Sequence, residues 1–146
     1  MSEPWAIDEK AKILLRTSSQ RVIPFVTIRM QFNDTEGLDK TLHLTGLEGE
    51  IKLSFPQNIP AYLENLRALG LIERPAGALS DIEKHYKNIE ERYGHLAQKV
   101  FMDGHPDGKR YPIVFLRGYF QMTAFGDLFI RACLKGADGR DLLAAE

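Results

Sequence analysis

Asp103, His105 and Asp107 alternate along the stretch DGHPDGKR. In an extended segment that spacing turns three oxygen and nitrogen ligands to one side, as a divalent cation would need. The glycines, proline and aspartates around them are turn formers for distinct reasons, so a plain turn is the preferred reading. None of the four histidines makes an i, i+4 pair with another, and the single cysteine has no second thiol with which to hold zinc. Cys133 follows Ala132 on an apolar helical face with no histidine or carboxylate placed beside it, which fits a small hydrophobe better than a nucleophile. G-x-S-x-G and dinucleotide patterns are absent, and TGLEGE lacks the lysine and serine that would let it cradle phosphate. The acid pairs Asp8 and Glu9, and Glu90 and Glu91, read as solvated helix faces. These residues predict no enzyme, no resident metal and no cofactor.

What chemistry remains is electrostatic. Phosphate contacts dominate nucleic-acid affinity, and Arg67, Lys109, Arg110 and Arg117 are the cations that would supply them in a DNA-binding regulator. The helix expected over residues 58–69 would be the one to enter a groove. It holds Glu64 against Arg67 and is neutral, so protein contacts are favoured over DNA.

Two stretches position everything else. NIPAYLENLRALGLIER reads as a helix that stops at Gly70 and turns into a short strand, with Asn58 as cap and Pro60 in the first turn. Ile59, Tyr62, Leu63, Leu66 and Leu69 form its buried stripe, and Gly70 is the left-handed stop. GYFQMTAFGDLFIRACL reads as a strand turning into a helix capped by Thr123, with Phe125, Leu128, Phe129, Ala132 and Cys133 as core. Upstream, residues 7–18 are a helix, with Ile7, Ala11, Leu14 and Leu15 at helical spacing. Residues 22–32 are a strand that sends Val26, Ile28, Met30 and Phe32 inward, with Pro24 near its start. KTLHLTG and EIKLSF read as short strands or as irregular structure, on either side of a glycine-containing break. Ser80 and Glu83 have capping-box spacing at the head of a helix carrying Ile82, Tyr86, Ile89, Tyr93 and Leu96, with Gly94 near its end. Residues 98–102 and 111–122 read as strands joined by DGHPDGKR, a long hairpin. The sum is an α+β fold, a winged-helix-like domain with a helical insertion and a β-hairpin wing. It forms one domain over residues 1–146 with a frayed tail from about 136.

The 146 residues allow a sizeable core, and 19 basic against 20 acidic side chains give no global attraction to nucleic acid or anionic lipid. One cysteine fits a reducing compartment, no run approaches the ~20 apolar residues of a membrane span, and the start lacks a secretory pattern. A cytoplasmic protein with no membrane partner is expected.

IPAYLENLRALGLIER, the tyrosine-bearing helix after it, GYFQMTAFGDLFIRAC, and the opening AIDEKAKILLRTSSQRVIPF together resemble the C-terminal part of the bacterial Abi-alpha (abortive infection alpha) family. The likeness runs from Ile7 to Leu134. It implies a phage-resistance role with no catalytic residues to carry over, and a helical region upstream in fuller relatives. The expected function is therefore a non-enzymatic interaction domain, binding a protein partner or itself, with phage defence as the role that the resemblance implies. The alternative is a winged-helix transcriptional regulator contacting DNA through the four cations above.

Overall fold

The computed structural model describes the backbone of residues 3–134, and the side chains of 8–134 other than Leu42. The expected tail from about 136 lies outside the described residues. Among the described residues six helices, α1 (Glu3–Gln20), α2 (Leu47–Glu50), α3 (Ile59–Ala68), α4 (Glu83–Arg92), α5 (Gly94–Asp103) and α6 (Ala124–Phe129), accompany four strands. The strands are β1 (Val22–Gln31), β2 (Gly37–Leu44), β3 (Ile72–Glu73) and β4 (Ile113–Met122), in the order β2-β1-β4-β3. The α+β class is as expected. The described residues group into two compact units, one of 3–23, 46–75 and 119–134, the other of 24–45 and 76–118.

In the first unit α1 sends Ala11, Ile13, Leu14 and Leu15 inward, and the Thr17 hydroxyl donates to the Ile13 carbonyl at 2.7 Å. Each fully buried aliphatic side chain of this kind contributes about 1.5–3 kcal/mol. The helix stops where Arg21 takes φ 73, a left-handed conformation uncommon outside glycine. In α3, Ile59, Tyr62, Leu63 and Leu66 are buried as their spacing requires. Gly70, at φ 79, then sends the chain into β3, whose Ile72 and Glu73 pair antiparallel with Met122 and Gln121 of β4. The helix–strand and strand–helix stretches therefore do meet. Thr123 joins them: its hydroxyl donates to the Gly70 carbonyl at 2.6 Å and accepts the Gly126 N–H at 2.9 Å.

In the second unit β1 pairs antiparallel with β2 around a turn at residues 32–36, where Phe32 N–H donates to the Glu36 carbonyl. Asn33 Oδ1 accepts the backbone N–H groups of Thr35 and Glu36, an Asx-type closure. Val26, Ile28 and Met30 are fully buried as the alternation predicts, and Phe25 and Thr27 are buried as well. The reason is topological, since β1 is an interior strand of the order and not an edge. Val26, Tyr86 and Ile89 form the core, with Leu44, Ile82, Tyr93 and Phe115 packed against it. Gly118 belongs to this core because any Cβ there would run into the Phe25 ring.

The structure corrects several expectations. Residues 98–102 are helical, inside α5, so DGHPDGKR joins a helix to a strand and does not make the expected hairpin. The helix–strand and strand–helix pairing from which the winged-helix reading started is present, but the wing expected at residues 98–122 is not. Residues 51–55 of EIKLSF are irregular, after the single helical turn of α2. Asn58 and the Ser80–Glu83 pair occupy helix starts without making side-chain caps, since a short 3-10 turn precedes each helix. Leu69, Phe125 and Leu128 are 60%, 56% and 56% exposed, and Ala132 and Cys133 are exposed too. The buried face of α6 is Gly126, followed by Ile130 in a π-helical turn (Ile130–Leu134), because Gly126 packs directly on the Leu71 carbonyl.

Candidate interaction surface

The residues singled out for metal chemistry turn to separate tasks. Asp103 pairs with Lys99 at 2.9 Å. Asp107 accepts the Tyr111 hydroxyl at 2.6 Å and the Lys109 N–H at 2.8 Å. Those bonds, Tyr111 foremost, hold the Asp107 carboxyl below its ordinary range, and Asp107 in turn raises Tyr111. His105 packs edge-on against Phe32, with ring centroids 5.1 Å apart. Among the described residues no group of three or more His, Cys, Asp or Glu side chains is arranged to hold a metal ion.

The four cations are also placed. Arg117 is clamped by two carboxylates of α4, giving Nε to Glu90 at 2.7 Å and Nη1 to Glu83 at 2.7 Å, and its guanidinium lies 5.3 Å from the Tyr86 ring centre. Hydrogen bonding to Glu90 and then Glu83 raises its pKa. Arg67 pairs with Glu64 at 3.2 Å, and Arg110 Nε donates to the Met102 carbonyl at 3.2 Å. Lys109 is exposed. Arg117 thus has its donors committed to protein acceptors.

The surface that stands out lies in the first unit. Leu66, Leu69 and Leu71 at the end of α3, Ala11 and Leu14 of α1, and Phe129 and Leu134 line a cavity of about 210 Å³. Lys10 also lines it, with its ammonium donating to Asn65 Oδ1 at 2.6 Å. Nearly every lining group is therefore apolar, and the one cation is tied to a neighbouring amide. Leu69, Phe125 and Leu128 are large apolar side chains of the same helices left in water. Scattered exposed leucines are ordinary, but an open apolar cavity on helices that also expose aromatic and aliphatic residues has the makeup of an association site. The sequence placed these residues in the core because it registered their apolar character and spacing. Nothing in the residue types announces that Gly126 would face inward in their stead.

Tyr62 of α3 and Glu9 of α1 are joined in the same unit, the hydroxyl donating to Glu9 Oε1 at 3.0 Å. Burial, together with the bond to Glu9, pushes the Tyr62 hydroxyl up. Glu9 is 3% exposed and also accepts the backbone N–H groups of Ser54 and, at 3.0 Å, Phe55. Read from sequence as a solvated acid, it is the buried carboxylate that fixes residues 51–55. Only its position one turn before Ile13 hinted at an inward face. Among the described residues no helix is long and apolar enough to cross a membrane.

No curated protein matches the chain. A solved structure, an uncharacterized protein from the hydrocarbon-degrading marine bacterium Alcanivorax borkumensis SK2, is similar with a TM-score of 0.53. Its identity is 17%, over 84% of this chain and 82% of that one, a likeness of fold alone. The family model described as abortive infection alpha matches residues 8–133, nearly all of the described chain, and the protein belongs to that family.

Proposed function

We propose that this abortive-infection-type protein acts in phage defence as a non-enzymatic interaction domain, docking a protein partner on the α3–α6 surface. The carrying observation is the apolar cavity lined by Leu69 and Phe129, with Phe125 and Leu128 exposed on the same helix as Phe129. Such a surface accepts an apolar anchor from an amphipathic partner helix, the usual mode of helix-in-groove recognition. The DNA-regulator alternative has less support, because Arg117 and Arg67 already face carboxylates and net charge is −1.

Cross-linked pull-down from phage-challenged bacteria, with sedimentation of the purified chain beside it, tests the reading. A discrete partner, or a dimer, captured by the native protein and lost in a folded Leu69→Asp/Phe125→Ser variant supports it. Equal capture by both proteins, with both sedimenting as monomers, removes it.

A further inference from the structure

A second concave feature has quite different chemistry. The last turns of α1 and residues 50–52 enclose a groove of about 360 Å³, at the small end of ligand-site volumes. Lys12, Arg16 and Lys52 line it against the single carboxylate of Glu50, while Leu15 and Ile51, both buried, give it an apolar wall. Arg16 is held in place: Nη1 donates to the Val22 carbonyl at 2.6 Å and Nη2 to Glu50 at 3.0 Å. Its Nε is buried and has no hydrogen-bond partner. Three cationic side chains against one carboxylate leave the groove with an excess of positive charge, which favours an anionic ligand. Lys12 Nζ reaches the Lys52 carbonyl at 3.2 Å, which keeps one ammonium at the groove wall, and Lys52 itself is exposed. Ser19 and Gln20 add neutral donors.

We propose that this groove binds a small organic phosphate. The phosphate meets Arg16, Lys12 and Lys52, and the organic body lies on Leu15 and Ile51. The proposal is independent of the docking surface on α3–α6. Glu50 is the internal competitor for the guanidinium, so removing its charge frees a donor for the ligand.

Titration calorimetry of the full chain at low salt, with adenosine monophosphate, inorganic phosphate and adenosine as probes, tests this. The monophosphate is expected to saturate, inorganic phosphate to bind about tenfold more weakly, and adenosine not to bind. Lys52→Gln is expected to weaken the monophosphate about fivefold, and Glu50→Gln to tighten it about threefold. Arg16 also holds Val22, so its own variants are avoided in favour of these two surface changes. No saturable binding of either phosphate probe, or equal affinity in native protein and both variants, overturns the proposal. Inorganic phosphate binding as tightly as the monophosphate overturns the organic part of it.

Discussion

The guanidinium of Arg21 and the carboxylate of Asp127 meet end to end, Nη1 to Oδ1 and Nη2 to Oδ2, both at 2.9 Å. Arg21 reaches that pose from a left-handed backbone, so a residue that would ordinarily be glycine is an arginine with a partner on α6. Hydrogen bonding to Arg21 holds Asp127 below its usual carboxylate range. The helix end and the ion pair pull stability in opposite directions. A left-handed L-residue costs about 1 kcal/mol, and a largely exposed pair returns about as much.

Arg21→Gly should therefore leave stability within about 1 kcal/mol of native, while Asp127→Asn, which keeps the backbone cost and loses the pair, should lower it. Urea midpoints of the two variants check the ordering. A larger loss for Arg21→Gly than for Asp127→Asn, both of which lose the pair, would show that the left-handed arginine carries no backbone cost for glycine to relieve.

Glu83 predicts a pH dependence. Its pKa is lowered from 4.5, chiefly by the hydrogen bond to Arg117. A depressed carboxylate contributes stability above its unfolded pKa and loses it as pH falls through the folded one. Native protein should lose stability below about pH 4.5 more steeply than Glu83→Gln, whose side chain does not titrate. Superimposable urea midpoints for the two proteins between pH 7 and pH 3 would refute the coupling.

Glu9 is the acceptor for three donors, so Glu9→Ala should destabilise by about 2–4 kcal/mol. Tyr62→Phe removes one donor and leaves the two backbone bonds, for about 1 kcal/mol. Chemical denaturation gives both values. A near-neutral Glu9→Ala would mean that water satisfies Ser54 and Phe55 just as well.

Gly118→Ala would place a methyl against the Phe25 ring, with Cε1 and Cε2 at 2.9 and 3.0 Å. Phe25 is buried, so the ring has little room to retreat, and overpacking should cost about 1–3 kcal/mol. Phe25→Leu alone opens a void, yet in the Gly118→Ala background it should cost less than in native protein. A double-mutant cycle showing no coupling would mean the strand shifts to absorb the methyl.

Much of this architecture was legible because local and long-range signals agreed. Gly70 announced its left-handed turn, Thr123 its cap, and the two helix–strand stretches their pairing. Where they disagreed, the reading failed. Val100, Phe101 and Met102 have strand-like character and precede a turn-rich segment, but the helix from Gly94 carries through them. Phe125 and Leu128 are apolar at helical spacing, and spacing alone does not say which face turns inward. That choice rests on Gly126, the one side of α6 thin enough to touch the Leu71 backbone. Glu9 was invisible for the opposite reason: its partners are backbone amides far along the chain, which no side-chain pattern records.

That last arrangement changes what residues 51–55 must preserve. A carboxylate reaching in from a helix supplies the acceptors that a neighbouring strand would otherwise provide, and it grips the main chain at Ser54 and Phe55. The side chain at Ser54 is therefore free to change, whereas inserting or deleting a single residue before it would slide both amides out of reach. This segment is measured by its length and not spelled by its letters.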